Sequence, residues 1–313
     1  MDSRLLEYFL RIAELGSINK AAADLQLSQP ALSRHLSALE HEMGTKLFNR
    51  TQGGVHLTDS GKLLADRARP LLRQFSVLKE QVGEKAAGQL TIGIPPSWHN
   101  VFTLGWTSRV VDQYPGVTLR VFEGVSHVLS DYMFAGLLDL AIVPFDPDKR
   151  SEYRQTPLVR EPLVLVGNRE QGLDRDDPVT VSRIDGVKLI LPGKPNVLRS
   201  LVEHSLARKG MNFKMAVETD NVALCLDMAR LGMGVTVVPA CALHGHPLAA
   251  SMSWAPVKGL YVTWTLSENP ARMHSQAVRE GRRLVIAAVA ETLKKGEWFG
   301  ATSVGAALSK APD

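Results

Sequence analysis

Three loops of this sequence carry hydroxyl, imidazole and amide side chains at the point where a predicted strand ends. The strands that they follow are predicted at Leu90–Ile94, Val117–Phe122 and Val187–Leu191. Open α/β sheets bind ligands at the carboxyl ends of their strands, beside the N-termini of the following helices. The residues that we assign to a small-molecule site, together with one ring after the strand at 140–143, are Ser97, Trp98, His99, Ser126, His127, Phe145 and Asn196.

These side chains suggest a type of ligand. Hydroxyl groups, an amide and exposed helix N–H groups suit a carboxylate or a similar small anion. Trp98 and Phe145 could stack on an aromatic ring. Each serine also has a purely structural interpretation as a helix N-cap, and the sequence leaves both interpretations open.

Other chemical motifs are incomplete. The run Gly232–Gly234 lies between a predicted helix and a strand, the reverse of the order in a dinucleotide-binding turn. The run Gly124–Val128 lacks the final glycine of a nucleophile elbow. Cys241, His244 and His246 are close enough to hold a soft metal, but a half-buried thiol with two loop histidines is the favoured interpretation. We predict no metal, no cofactor and no catalytic residue.

Composition sets limits on the kind of protein. The chain has 313 residues, 45% hydrophobic residues, two cysteines and a formal net charge of +4. The first 87 residues contain twelve Lys and Arg against ten Asp and Glu, so bulk charge does not indicate a nucleic-acid partner. No signal peptide and no membrane-spanning run is predicted, and two free cysteines suit a reducing cytoplasm.

A pair of short helices is predicted between residues 16 and 40. Ser17 can cap the first helix, and Ser28 can cap the second, which has Pro30 in its first turn. At about 100° per residue, one face of the second helix is apolar. That face consists of Leu32, Leu36, Leu39 and Met43, and the opposite face of Pro30, Arg34, Ser37 and His41. A helix of this type fits a DNA major groove.

A small hairpin is predicted after this helix, from Lys46 to Thr58, with its turn at 52–54. Arg50 and Thr51 lie near the turn, where they could contact phosphate or reach the minor groove. A surface hairpin with one solvated arginine is the plainer alternative.

The run from Ser17 to Gly61, including the two helices and the hairpin, resembles the winged helix-turn-helix of LysR-type transcriptional regulators. The resemblance implies a DNA-binding regulator with a small-molecule sensor behind it. It also implies assembly as a homotetramer and RNA polymerase as a further partner. The DNA-binding residues that we assign are Ser28, Gln29, Pro30, Ser33, Arg34, Ser37, Lys46, Arg50 and Thr51.

One long helix is predicted from Thr58 to about Lys85, with apolar residues at alternating spacings of four and three. That pattern is typical of a coiled-coil seam and predicts dimerisation through this helix. The alternative is that the seam packs on a later part of the same chain. The residues assigned to the dimer are Leu64, Leu71, Phe75, Leu78 and Val82.

Strands and helices alternate after residue 88, which predicts parallel sheets with helices on both faces. More than ten elements favour two lobes, with the chain crossing near Glu161–Pro162 and returning near Ser267–Pro270. The predicted fold is therefore α/β: a winged helix-turn-helix, a linker helix and a two-lobed sensor like that of periplasmic binding proteins. The predicted domains are 1–58, 59–87, 88–162 with 268–300, 163–267, and a poorly ordered tail at 301–313.

The function favoured by these patterns is a ligand-responsive transcriptional regulator that binds double-stranded DNA, a small effector and other copies of itself. One alternative is a regulator that binds DNA constitutively and has no ligand response. The other is a ligand-binding or catalytic α/β protein that its N-terminal domain only recruits to DNA.

Overall fold

The computed structural model describes residues 2–51, 54–82, 88–146 and 153–304, with side chains at all of these except 50, 70, 73–82 and 271. Their contacts divide the chain into two compact units. The first contains residues 1–84 and 134–137, and the second contains residues 85–133 and 138–313. None of the helices in the described ranges combines the length and the apolar character that a membrane crossing needs.

The first unit is a winged helix-turn-helix followed by a long helix. Its elements are α1 (Ser3–Leu15), α2 (Ile18–Asp24), α3 (Gln29–Met43), β1 (Phe48–Thr51), β2 (Gly54–Leu57) and α4 (Asp59–Val82). β1 and β2 pair antiparallel, as the predicted hairpin requires. The predicted turn falls partly on residues 52–53, which lie outside the described residues.

Local hydrogen bonds explain where these helices begin and end. The hydroxyl of Ser17 accepts a hydrogen bond from the amide of Lys20 at 3.4 Å, and that of Ser28 accepts one from Ala31 at 3.4 Å. Gly44 ends α3 in the left-handed conformation, with φ of 66°, which costs a glycine little. The predicted N-caps and C-cap are therefore confirmed.

The beginning of α4 packs on its own unit, which corrects part of the predicted dimer seam. Leu64 lies against the core of the winged domain, and Ala68 is buried in that core. These two apolar side chains therefore pack within the winged domain and are not available to a partner helix. Leu71 is 44% exposed and remains available to a partner. The side chains of the other assigned dimer residues, Phe75, Leu78 and Val82, lie outside the described part.

The second unit is an α/β domain. Its strands are β3 (Gly88–Ile94), β4 (Val117–Glu123), β5 (Leu140–Pro144), β6 (Arg154–Asn168), β7 (Lys188–Leu191), β8 (Lys214–Glu218), β9 (Val235–Pro239), β10 (Met252–Glu268) and β11 (Thr302–Ser303). Its helices are α5 (Leu104–Gln113), α6 (Ser126–Phe134), α7 (Val197–Ala207), α8 (Val222–Arg230) and α9 (Gln276–Lys294). A π-helical turn at His99–Thr103 leads into α5, where the sequence predicts an ordinary helix.

Two long antiparallel strands join the halves of this unit into one sheet. The strand order is β4-β3-β5-β10-β6-β9-β7-β8, with β11 beside β6, among the described residues. The outer strands on each side are parallel, as predicted. β6 and β10 have 15 and 17 residues and pair with each other through both halves. The two separate sheets expected from the alternation are therefore one sheet.

The chain returns to the first half earlier than predicted. The register between β10 and β6 breaks between Pro256 and Tyr261. After the break, Trp264–Glu268 pairs with β5, a strand of the first half. The crossing therefore lies at about 257–260 rather than at 267–270. A boundary at 267 would assign the part of β10 that pairs with β5 to the second half of the sheet.

The C-terminal segment is ordered further than predicted. Trp298 is buried, and its ring meets the ring of Trp98 edge-on at 4.7 Å between centroids. β11 pairs with β6 at Val159 and Arg160. The expectation of a disordered tail is thus wrong for residues 301–304, and residues 305–313 lie outside the described part.

A carboxyl group in the middle of β6 has no exposed surface. Oε1 of Glu161 accepts a hydrogen bond from the indole of Trp264, and Oε2 accepts bonds from the indole of Trp298 and the amide of Cys241, both at 2.9 Å. Burial raises the pKa of this carboxyl, while the three N–H donors oppose that effect. The donors come from β10, the C-terminal segment and the residues after β9, so one side chain connects three parts of the sheet.

A buried ion pair closes the first half of the sheet. Arg272 and Asp139 have side chains that are 2% and 1% exposed, and their Nε and Oδ1 atoms are 2.9 Å apart. Asp139 also accepts a hydrogen bond from the amide of Thr91 in β3, and Arg272 donates one to the carbonyl of Gln89. The pair therefore links β3 to the turn after β10.

Removing one partner of this pair should destabilise the second unit strongly. We expect Arg272→Met to lower the free energy of unfolding by about 3–5 kcal/mol, because Asp139 is then left as a buried charge without its cation. Urea unfolding followed by circular dichroism measures the change. The matched control is Lys295→Met, which breaks the exposed pair with Glu291 and should cost less than about 1 kcal/mol. Similar losses in both variants would contradict this interpretation.

Glu161 should make stability depend on pH. Its pKa is raised above the usual 4.5 in the folded protein, so the folded protein holds this proton more tightly than the unfolded chain. The resulting stabilisation is complete below about pH 4.5 and decreases as the pH rises through the folded pKa. Glu161→Gln removes this titration. The unfolding free energy of the variant minus that of the wild type should therefore increase between about pH 4.5 and pH 7.5, and a constant difference would rule out the effect.

Candidate functional sites

The outer face of α3 presents polar side chains, and the inner face is buried. Leu32, Leu36 and Leu39 are at most 5% exposed and pack in the core of the winged domain. The exposed residues of the opposite face are Pro30, Arg34, Ser37 and His41. Among the described residues, the guanidinium of Arg34 makes no hydrogen bond or ion pair, so its five N–H donors are available.

The first turn of α3 contains the other assigned residues of this helix. Nε2 of Gln29 donates a hydrogen bond to the hydroxyl of Ser33 at 2.9 Å, which orients both side chains. Ser28 is exposed, but its hydroxyl caps the helix. The N-cap role of Ser28 therefore explains this residue without a contact to DNA.

The hairpin is held to α3 by one carboxylate. Glu40 is buried in α3 and accepts hydrogen bonds from Nζ of Lys46 at 2.7 Å and from the amide of Leu47 at 2.9 Å. Burial opposes ionisation, but these donors lower the pKa of Glu40 overall. Lys46 is thus paired, although 77% of its side chain is exposed. Thr51 is exposed and donates to the carbonyl of Gly54, and the side chain of Arg50 lies outside the described part.

The second unit has a cavity of about 730 Å³ where four strands end. The loop after β3 contributes Ser97, and the last residue of β4 contributes the side chain of Glu123. The residues after β8 contribute Asp220, and those after β9 contribute Cys241 and His246. The cavity therefore lies at the carboxyl ends of strands from both halves of the sheet, which is where an open α/β sheet binds its ligand. We call it the strand-end cavity.

Two of the seven predicted ligand residues line this cavity. They are Ser97, which is 7% exposed, and His99, whose Nδ1 lies 3.0 Å from Oε1 of Glu123. Trp98, between them, corrects the prediction. It has no exposed surface and packs edge-on against Trp264 and Trp298, so it cannot stack on a ligand. Its ring belongs to the core because the backbone here forms a tight turn at Pro96–Trp98.

The other four predicted ligand residues do not line the cavity. Oδ1 of Asn196 accepts hydrogen bonds from two amides at the start of α7, so this residue is an N-cap. Ser126 and His127 belong to the first turn of α6, and Gly124 before them reaches the cavity instead. Phe145 is 48% exposed at the end of β5, outside the lining.

The structure adds residues that the sequence analysis did not assign to a ligand. Asp220 and Asn221 lie between β8 and α8, and Asn221 caps α8 by accepting a hydrogen bond from the amide of Leu224 at 3.0 Å. This junction has the same strand-to-helix pattern as the three loops that were selected, so the pattern could have found it. His246 follows β9, where the sequence indicates only a candidate metal ligand.

The thiol of Cys241 is buried between the cavity and Glu161. Burial raises its pKa well above the usual 9.0, and the neighbouring carboxyl of Glu161 raises it further. His244 lines a second cavity, of about 500 Å³, which Cys241 does not line. Across the described ranges, no three His, Cys, Asp or Glu side chains are placed to hold a metal ion.

Comparison with known proteins gives two family matches. Residues 3–62 match the model described as bacterial regulatory helix-turn-helix protein, lysR family, and residues 83–290 match the LysR substrate binding domain. The nitrogen assimilation regulatory protein nac of Klebsiella aerogenes is 30% identical over 90% of this chain and 93% of its own length. The HTH-type transcriptional regulator BbuR of Bordetella bronchiseptica is 29% identical over 97% of this chain and 95% of its own.

Solved structures share the fold. A full-length OxyR variant from Pseudomonas aeruginosa superposes with a TM-score of 0.73 at 20% identity, covering 92% of this chain and 94% of that one. Full-length CbnR, solved with its target DNA, gives a TM-score of 0.62 at 20% identity and covers 94% and 99%. A lysR-type helix-turn-helix and a LysR substrate-binding domain in one chain establish that it belongs to the LysR family of DNA-binding transcriptional regulators.

Proposed function

We propose that this regulator reads its operator with the exposed face of α3. The observation that carries the proposal is the free guanidinium of Arg34 on that face, opposite the buried side chains of Leu32, Leu36 and Leu39. Gln29 and Ser33 contact bases beside it. Pro30 and Ser37 pack against the groove, and the wing residues Lys46, Arg50 and Thr51 contact the backbone. The structure of CbnR with its target DNA is precedent for this fold on a duplex.

A small effector binds in the strand-end cavity and alters promoter binding without being chemically changed. The support is its position at strand ends from both halves of the sheet, in a domain whose family model is named for substrate binding. Ser97 and His99 remain the sequence-assigned contacts. The aromatic effector expected from Trp98 and Phe145 loses its basis, because neither ring lines the cavity.

The regulator acts as a dimer that α4 forms, and two dimers assemble into a tetramer. Leu71, exposed on α4, marks the beginning of the dimer surface, which continues through Phe75, Leu78 and Val82. Paired winged domains then hold two half-sites about 34–36 Å apart, or a multiple of that distance, on one face of the DNA. RNA polymerase is the partner through which DNA binding becomes regulation.

Arg34 tests base reading. If its guanidinium donates two hydrogen bonds to a guanine, Arg34→Ala should weaken operator binding by about 1–3 kcal/mol and relax specificity at that base. The operator is first selected from a random duplex library. Fluorescence anisotropy at constant salt then compares it with duplexes changed at each position.

The matched control is Arg4→Ala, which removes an exposed arginine of the same unit that pairs with Asp2. It should leave base preference unchanged. Equal weakening by Arg34→Ala on every duplex would make Arg34 a phosphate contact. Sequence-independent binding by the wild type would overturn the proposed regulator.

The dimer surface is tested by charge. The double variant Leu71→Glu, Phe75→Glu places four like charges in the proposed dimer surface of α4 and should lower the mass measured by sedimentation equilibrium below that of the tetramer. Lys62→Glu is the control, because it adds an acidic group at an exposed position earlier in α4. An unchanged mass of the double variant would exclude dimerisation through this part of α4.

A further inference from the structure

The charged side chains of the strand-end cavity are acidic. Glu123 and Asp220 line it, and among the described residues no lysine or arginine does. Oδ1 of Asp220 accepts a hydrogen bond from the amide of Gly193 at 3.2 Å, which holds the carboxylate in place and leaves its second oxygen for a ligand. The cavity thus offers two carboxylates to whatever it binds.

Both histidines of the cavity already use their Nδ1 atoms in contacts within the protein. Nδ1 of His246 accepts a hydrogen bond from the amide of Leu248 at 3.2 Å, so this nitrogen is already occupied within the protein. Nδ1 of His99 faces a carboxylate oxygen of Glu123, which can only accept, so this nitrogen carries its proton. Asp220 makes no hydrogen bond with a histidine among the described residues; its partner is the amide of Gly193.

A nearby arginine is also neutralised. Arg199 in α7 donates hydrogen bonds to Glu203 at 2.8 Å and to Glu218 at 2.7 Å, as well as to the carbonyl of Pro192. Its side chain is 9% exposed. Two carboxylates therefore already surround this cation, which does not line the cavity.

One further amide of the lining, that of Asn100, offers a hydrogen-bond acceptor. Nδ2 of Asn100 donates to the carbonyl of His244, so its Oδ1 faces away from that bond as an acceptor. Val125, Val128 and Leu226 supply an apolar surface on the same cavity. A ligand that matches this lining has a hydrogen-bond-donating head and a short apolar stem.

We propose that the effector carries a cationic amine group, bound between Glu123 and Asp220, on an aliphatic stem. This inference rests on the effector site proposed above and replaces the anion expected from the sequence. A carboxylate in this cavity would lose its hydration beside two like charges and gain no cationic side chain. An ammonium group would replace the hydrogen bonds that it loses to water with charge-assisted hydrogen bonds to the two carboxylates.

Three probes of one shape separate the ligand classes: n-butylammonium, n-butanol and butyrate. Ligand-observed NMR on the full-length protein, at constant pH and salt, gives the dissociation constant of each. We expect n-butylammonium to bind at least tenfold more tightly than butyrate. Asp220→Asn and Glu123→Gln, which keep an acceptor oxygen for their present partners, should each weaken n-butylammonium at least fivefold and leave n-butanol unchanged.

Two further variants locate the binding. Asp112→Asn removes an exposed carboxylate of α5 outside the cavity and should leave all three probes unchanged. Ala223→Trp fills the cavity and should abolish binding of n-butylammonium. Weakening by Asp112→Asn equal to that by Asp220→Asn would show unspecific charge attraction and overturn the proposal, as would failure of n-butylammonium to bind.

Butyrate binding that Ala223→Trp abolishes would overturn the amine class while supporting the cavity as the effector site. Binding of n-butylammonium that Ala223→Trp leaves intact would overturn both. The Arg34 experiment measures DNA binding without any effector. Its failure would therefore contradict the proposed operator contact and would not bear on the ligand class of the cavity.

Discussion

The second unit depends on a carboxyl group that is buried without any exposed surface. Moving a carboxylate out of water costs several kcal/mol, and hydrogen bonds to it must offset that cost. Glu161 receives three N–H donors, from Trp264, Trp298 and the backbone of Cys241. Displacing Trp264 would leave Oε1 without a donor, and displacing either of the other two would halve the donors at Oε2, so all three segments are held against β6.

This constraint extends to the strand-end cavity. Cys241 lines the cavity, and its amide donates a hydrogen bond to Glu161, so the cavity wall after β9 is tied to β6. Trp98 packs against both tryptophans that donate to Glu161, and Ser97 and His99 flank it in the chain. The loop after β3 is thereby anchored to the same cluster. Polar groups at the cavity are thus supported by a rigid aromatic core.

Periodic features were predictable from the sequence, whereas the direction of individual side chains was not. The two faces of α3 follow from the 3.6-residue repeat, and Ser17, Ser28 and Gly44 mark helix ends by local hydrogen bonding. The predicted strand ends after β3 and β4 reach the cavity, whereas the predicted loop at 192–196 after β7 does not. Whether Asn196 caps a helix or faces a ligand depends on a rotation about its own bonds, which no spacing reveals.

Long-range pairing was the other source of error. The pairing of β6 with β10 on both sides of the register break joins residues about a hundred positions apart, and alternation of strands and helices cannot show it. The order of the C-terminal segment likewise depends on the acceptor at Glu161, far away in the sequence. Leu64 fits a dimer seam and a domain core equally well by spacing, and only the packing of α4 decides between them.

Charge explains why composition gave no sign of DNA binding. Net charge counts every cation equally, but most of the described cations in the winged unit are paired: Arg4 with Asp2, Arg11 with Asp24, and Lys62 with Asp59. Such exposed pairs contribute little to stability and little to the outer field. A cation without a partner is free to donate hydrogen bonds to DNA, and Arg34 is such a cation on α3. The strand-end cavity shows the converse, since two acidic side chains give a local negative charge within a chain whose total is +4. In both places, the arrangement of a few charges determines which partner is attracted, and the sum over the chain does not.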